Sequence, residues 1–194
     1  MLNEIILASK SEVRKQILNK YGINCQVEPS NVDEEPVKQS LIREGVTPET
    51  ISKNLAELKA TKVSLKKKDK IVLGADSVID LEGKIISKPE NRKEALEILK
   101  KLNGKHHFLI SSVCLSKNGK MIWHYSDKAK LTMKNFEIFE LEGYLARLTD
   151  KALYAYNVYQ IEGAGKDLFL KIEGNENTIM GLPIEKIKEY LKNF

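Results

Sequence analysis

The stretch "HHFLISSVCLSKNGKMIWHYSDKAKLTM", residues 106–133, most constrains what this chain can fold into. Two extended runs rich in β-branched and aromatic residues are separated by Asn118 and Gly119 alone. Asn-Gly takes up the left-handed backbone that a two-residue hairpin turn requires, so the two runs pair antiparallel. The N-terminus has a different grammar. "EIILAS" is a short apolar run that turns into "KSEVRKQILNKYG", where Val13, Ile17, Leu18 and Tyr21 recur at helical spacing, with Ser11 as N-cap and Gly22 as stop. A second strand, "NCQVEP", follows. A chain that combines crossovers with hairpins builds an α/β fold: a mixed twisted sheet with flanking helices.

The rest fills in this frame. "SNVDEEP" is expected as a polar loop, and Thr47 with Pro48 opens a longer helix, "ETISKNLAELKATKVSLKK", in which Ile51, Leu55, Leu58 and Lys62 share a face. "EGK" turns the run at 70–80 back into "KIIS", a hairpin signal. A helix over "NRKEALEILKKLNG" is capped by Asn91 and ends at Gly104. Then come a helix around "EIFELEGYLARL", the Tyr-rich loop "YAYNVYQIEGAG", the strand "DLFLKI", the turn "EGNENTIM" and a closing helix from Pro183. With no repeat and no Pro/Ser-rich linker, residues 1–194 are expected to form a single domain.

Composition narrows the function classes. A hydrophobic share of 42% and a charged share of 30% describe a soluble globular protein, and no run approaches the roughly 20 apolar residues of a membrane span. "MLNEIILASK" is too short in apolar residues for a signal peptide and carries an acid ahead of them. Cys25 and Cys114 are far apart, sit in apolar runs and read as reduced core residues, which places the chain in the cytoplasm. The net charge of +5 is dispersed, and the one dense run, "KKKDK", falls at a helix end where cations suit the dipole. A small polyanion is therefore a better ligand class than nucleic acid or a membrane.

Within "KIVLGADSVID" the apolar run Ile71–Leu73 gives way to Gly74, Ala75 and the carboxylate Asp76. A charge there must be paired, metal-bound or exposed. The expected arrangement puts Asp76 at the strand's exposed end, with Gly74 and Ala75 leaving room for a substrate or ion. Three other places could share its chemistry. In "ASKSEVRK" a strand runs through Ser9 and Ser11 into a helix whose free N–H groups favour phosphate, with Arg14 on the first turn; an ordinary capped helix has the same local pattern. Asp33, Glu34 and Glu35 cluster in "NVDEEP", and with Asp76 could hold Mg²⁺, although acidic loops are commonly just solvated. Lys59 in "LAELKA" and Lys88 in "SKPE" could each aim an ammonium at a ligand. His106, His107 and His124 lack partners at ligand spacing. Neither GxSxG nor a Walker-type loop is present, so water is the nucleophile expected of an enzyme.

Taken in order, these segments resemble the Maf family of nucleoside triphosphate pyrophosphatases, formerly linked to septum formation, whose fold is Maf/ITPase-like. The likeness runs through "LASKSEVRKQIL", "VDE", "LAELKA", "GADSV", "SKP" with "EALEILKKLNGKHH", and "IEGNENTIMGLP". It implies hydrolysis between the α- and β-phosphates of a nucleoside triphosphate, with a divalent cation, Mg²⁺ or Mn²⁺. It also implies Asp76 as proton acceptor, Glu34 at the site from the acidic loop, and Ser11, Arg14, Lys59 and Lys88 around the phosphates; Ser9 adds a hydroxyl donor at the same turn, and Asp76 with Glu34 are the candidate metal ligands. A homodimer is a further implication of the family. A non-catalytic division-regulating or nucleic-acid-binding protein is the competing class.

Two departures bear on the base. Val13 stands where many members carry the first of two arginines. Near the end, "YQIEGAG" aligns Glu162 and Gly163, without a gap, to the E-G of the 7-methyl-GTP branch; with a gap, Gln160 matches the I-Q-G of the dTTP/UTP branch. A carboxylate accepts from guanine's N1–H and N2–H pair, whereas an amide suits uracil or thymine. The 7-methyl-GTP-like substrate is favoured, and Gln160 and Glu162 are the candidate base readers.

Overall fold

A computed structural model describes residues 4–155 and 158–193. The chain divides into two compact units, one of residues up to 78 with 110–128 and 175 onward, the other of 79–109 and 129–174.

In the first unit, strand β1 (Ile5–Leu7) pairs parallel with β2 (Cys25–Val27) on one side and with β3 (Val72–Leu81) on the other. The order continues through β5 (His106–Lys117) to β6 (Lys120–Met133), of which residues 110–117 and 120–128 belong to this unit. The β5–β6 turn is made by Asn118 at φ 51° and Gly119 at φ 78°, the left-handed pair anticipated for Asn-Gly. Period-2 alternation then decides which helix meets which residue. Ile5, Leu7, Leu73, Ala75, Val113 and Leu115 face one way and bury Ile17 and Leu18 of helix α1 (Glu12–Lys20) and Ile184, Ile187 and Leu191 of helix α8 (Ile184–Leu191). Ile6, Ala8, Val72 and Cys114 face the other way and bury Ala56, Ala60 and Val63 of helix α3 (Pro48–Ser64). Helix α2 (Glu34–Arg43) packs along α3, and the single-turn α7 (Glu176–Ile179) precedes α8.

In the second unit, β4 (Lys84–Ile86) pairs antiparallel with the C-terminal part of β3, and β7 (Phe169–Glu173) pairs antiparallel with the C-terminal part of β6 across a bulge at Thr132 and Met133. Helix α4 (Arg92–Leu102), capped by the Asn91 side chain, packs against α5 (Ile138–Ala146), whose start carries a reciprocal capping box of Glu137 and Glu140. A short α6 (Asp150–Ala155) and a 3-10 turn (Ala164–Leu168) occupy part of the segment expected to be a Tyr-rich loop; Tyr156 and Asn157 lie outside the described residues. Parallel and antiparallel pairs thus coexist in one α/β protein, as the sequence patterns indicate.

Three local expectations are corrected. The acidic stretch after Val32 is not a loop: Glu34 and Glu35 form the first turn of α2. Acids suit that end of the dipole, and Pro36, still in the first turn, lacks only an N–H that would have no intrahelical partner. On α3 the buried face is Ile51, Leu55, Ala56, Lys59, Ala60 and Val63, while Leu58 and Lys62 are half-buried. Third, β3 does not end at Asp76. It continues for five more residues, so the carboxylate lies mid-strand and only 6% exposed.

Candidate active site

Gly74 explains how a charge can sit inside β3. A Cβ there would run into the Ala56 carbonyl oxygen and stand 2.7 Å from the Ala60 nitrogen, so α3 lies with its backbone directly on the strand. The glycine therefore makes room for a helix, which corrects the expectation that it clears space for substrate. Asp76 is two residues along from Gly74 and faces the same way, toward α3. Lys59, one residue before Ala60, is carried to it: Lys59 Nζ donates to Asp76 Oδ1 at 2.8 Å and to the Ala75 carbonyl at 3.4 Å. The same ammonium lies 2.8 Å from Glu34 Oε2 at the start of α2. Ser52, also on α3, donates to the Asp76 carbonyl at 3.1 Å.

Two carboxylates thus clasp one buried lysine. Of the acids after Val32, Glu34 meets the lysine, whereas Glu35 is engaged locally by Lys38 at 2.9 Å and Gln39 at 2.7 Å. Asp76 Oδ2 is buried without a hydrogen-bond partner. Burial pushes the Asp76 carboxyl above the ordinary carboxylate range; Lys59 opposes that rise, Glu34 adds to it, and Arg14 opposes it. A carboxylate with raised proton affinity and one idle oxygen is suited to accept a proton from water, or to bind a hard cation.

The N-terminus of α1 comes to the neighbouring residue, Ala75. Ser11 caps the helix by accepting from the Arg14 backbone N–H at 3.3 Å, and Ser9 Oγ accepts from the Ser11 N–H at 3.2 Å. Each hydroxyl keeps its own hydrogen to donate. Arg14 is spread over protein acceptors: Nε to the Gly181 carbonyl at 2.9 Å, Nη1 to Ser9 Oγ at 3.2 Å and the Ala75 carbonyl at 2.9 Å, and Nη2 to Ser77 Oγ at 3.2 Å. Burial lowers the guanidinium's proton affinity while Asp76 and Glu34 raise it, and the group stays charged at neutral pH.

The first unit therefore brings Ser9, Ser11, Arg14, Glu34, Lys59 and Asp76 into one cluster. Lys88, Gln160 and Glu162 belong to the second unit. Lys88 is exposed ahead of Pro89, and Gln160 Nε2 donates to Glu162 Oε1 at 3.2 Å. The backbone is close-fitted there: a Cβ on Gly165 would stand 2.5 Å from the Gln160 nitrogen. Among the described residues, no group of three or more His, Cys, Asp or Glu side chains could hold a metal by itself. A divalent cation at Asp76 and Glu34 would need phosphate or water oxygens to complete its shell, and the idle Asp76 Oδ2 fits that demand.

Sequence reasoning missed the residues behind Arg14. Ser77 and Ser111 hydroxyls are 2.8 Å apart, Ser111 donates to the Thr178 carbonyl at 2.7 Å, and Thr178 Oγ1 donates to Asp127 Oδ2 at 2.6 Å. The available signal was "SS" at 111–112, two hydroxyls in the middle of an otherwise apolar strand.

No helix among the described residues is long and apolar enough to cross a membrane. The family model for Maf-like proteins matches residues 4–194. A nucleoside triphosphate pyrophosphatase of Pelagibacter ubique is 70% identical over 192 residues, covering 99% of this chain and 98% of that protein. One from Caulobacter vibrioides is 38% identical over 191 residues, covering 98% and 96%. A 7-methyl-GTP pyrophosphatase of Brucella abortus is 38% identical over 184 residues, covering 95% and 92%. Among solved structures, a dITP/XTP pyrophosphatase from Mycobacterium abscessus aligns over 97% of this chain and 94% of its own at 15% identity and a TM-score of 0.48, a likeness too loose to bear on function. Matched along almost its whole length by one family model and by relatives well above 30% identity, the chain belongs to the Maf family.

Proposed function

We propose that this chain is a nucleoside triphosphate pyrophosphatase, a hydrolase of acid anhydrides, in which Asp76 accepts a proton from the water that attacks the α-phosphate. The observation that carries this reading is the Lys59 ammonium held between Asp76 Oδ1 and Glu34 Oε2, with Asp76 Oδ2 buried and idle. The family likeness supplies the reaction class: release of pyrophosphate and a nucleoside monophosphate.

Each residue then has a defined task. Asp76, lifted in proton affinity by burial, holds the proton it receives. Ser9 and Ser11 offer hydroxyl hydrogens beside the free N–H groups of α1, a donor set for phosphate oxygens. Lys59 balances the two carboxylates in the resting protein and offers its charge to the phosphates in the complex. Lys88 is assigned to the phosphates on the family likeness alone. A divalent cation, Mg²⁺ or Mn²⁺, fits Asp76 Oδ2 and Glu34; when bound it would neutralise phosphate charge and acidify water. The protein would act as a scavenger of modified nucleotides in the cytoplasm.

For the base, we assign Glu162 as the acceptor of guanine's N1–H and N2–H pair, with 7-methyl-GTP as the favoured substrate. Support comes from the hydrogen bond by which Gln160 orients the Glu162 carboxylate and from the name of the Brucella relative. The test is a panel of 7-methyl-GTP, UTP, dTTP and CTP assayed for pyrophosphate with Mg²⁺ or Mn²⁺. The highest kcat/KM is expected for 7-methyl-GTP; preference for UTP or dTTP would transfer base reading to Gln160. No release from any triphosphate, together with tight binding of DNA, would favour a regulatory protein instead.

A further inference from the structure

Arg14 is read by family likeness as a phosphate ligand, yet its guanidinium is already committed. Of its five N–H donors, four meet protein acceptors: the carbonyls of Gly181 and Ala75 and the hydroxyls of Ser9 and Ser77. A side chain gripping phosphate with its fork would have to give up these bonds. The acceptors come from three chain segments, and all four lie in the first unit. The bond to the Ala75 carbonyl falls on the peptide that joins Ala75 to Asp76.

The geometry also shows what holds Arg14 itself. Side chains alternate along β3, so Asp76 faces α3 while Ser77 faces α1. From Ser77 a continuous line of hydrogen bonds runs through the buried Ser111 hydroxyl to the Thr178 carbonyl, at 2.8 Å and 2.7 Å. The turn that follows is fitted to the guanidinium: Gly181 has φ 94°, and a Cβ there would stand 3.3 Å from Arg14 Nε and Nη2. Hydroxyls buried in a strand are retained at a desolvation cost that only their hydrogen bonds offset. Here those bonds converge on Arg14.

We propose that Arg14 is a positioning residue, fixed by the Ser77–Ser111–Thr178 chain and the Gly181 turn, and that it acts on hydrolysis by anchoring the Ala75–Asp76 peptide from the α1 side of the sheet instead of by gripping phosphate. This rests on the assignment of Asp76 as proton acceptor. It separates two jobs that the family likeness merges, substrate affinity and the aim of the base.

The test compares Arg14→Lys, Ser77→Ala and Ser111→Ala with wild type. Pyrophosphate release yields kcat and KM; calorimetry with the α,β-methylene analogue of GTP and Mg²⁺ yields Kd and stoichiometry. Expected for Arg14→Lys is a kcat at least tenfold lower, with KM and Kd within about twofold and stoichiometry near one, so that misfolding is not the cause. Ser77→Ala and Ser111→Ala are expected to lower kcat severalfold in the same pattern, and the Arg14→Lys/Ser77→Ala pair to lose less than the product of the single losses. A tenfold rise in KM and Kd with kcat intact in Arg14→Lys would overturn the proposal, as would wild-type kcat in both serine variants. If Arg14→Lys fails to fold, the serine variants decide alone. Full activity in Asp76→Asn would instead overturn the assignment of the base, and this inference with it.

Discussion

Lys59 Nζ stands 2.8 Å from Asp76 Oδ1 and 2.8 Å from Glu34 Oε2, so one ammonium from α3 joins the middle of β3 to the first turn of α2. Asp76→Asn keeps the shape of this clasp and removes the carboxylate proposed to accept the proton. Pyrophosphate release is expected to fall by roughly 10²–10⁴-fold, with the circular dichroism spectrum and melting temperature close to wild type. Near-wild-type turnover would remove Asp76 from the chemistry.

The same clasp predicts an asymmetry in stability. Lys59→Met strands the buried Asp76 carboxylate and is expected to cost about 3–5 kcal/mol in chemical denaturation. Adding Asp76→Leu to Lys59→Met should recover much of that loss, because no buried charge then lacks a partner. Additive losses in the double variant would contradict the pairing.

Gly74→Ala tests the contact of α3 with β3. The added methyl meets main-chain atoms of Ala56 and Ala60, which cannot rotate away. A loss of about 1–3 kcal/mol is expected, read as a drop in melting temperature of several degrees. Turnover should fall as well, since the displaced helix carries Lys59.

His107 gives the fold a pH dependence of its own. It is 1% exposed, its Nε2 lies 2.8 Å from the Tyr159 hydroxyl, and burial, with a smaller contribution from His106, lowers its pKa from 6.5 to about 4. Between those values the unfolded chain binds the proton and the folded chain does not. Stability from this group is therefore complete above pH 6.5 and is lost as pH falls toward about 4, at up to roughly 1.4 kcal/mol per pH unit. Urea midpoints of wild type and His107→Gln across pH 4–7 should show the steeper acid loss in wild type; parallel curves would count against it.

Base selection is tested by Glu162→Gln beside Gln160→Ala. The first is expected to lower kcat/KM for 7-methyl-GTP by 10-fold or more, the scale of one lost charged hydrogen bond of about 1.5–3 kcal/mol, with little change for UTP. Gln160→Ala should have a smaller effect, through the orientation of Glu162. Unchanged preference in both would place base reading elsewhere.

What was legible in the sequence was local or strictly periodic. Asn118 and Gly119 announce their hairpin because the turn needs the backbone they tolerate, and Ser11, Thr47 and Asn91 announce helix starts because their side chains accept backbone N–H groups there. Lys59 was legible as a candidate but not as buried: a count of large apolar residues on α3 selects Leu58, whereas the true face uses Ser52, Ala56 and Ala60, small enough for backbone contact. Asp76 could be picked out by its misplaced charge, yet its depth in β3 depends on Lys59, which lies 17 residues away in sequence. The hydroxyl line behind Arg14 was illegible because Ser77, Ser111 and Thr178 meet only once three distant segments are assembled.

Gly74 has one more effect. With main chain resting on main chain at that point, the distance between the backbones that carry Lys59 and Asp76 is set by atoms common to every amino acid. Exchanges among neighbouring side chains in the core therefore leave this seat of α3 on β3 in place. The constraint falls instead on a single hydrogen atom at position 74, where even the smallest enlargement would meet main-chain atoms of Ala56 and Ala60 on the helix that carries Lys59.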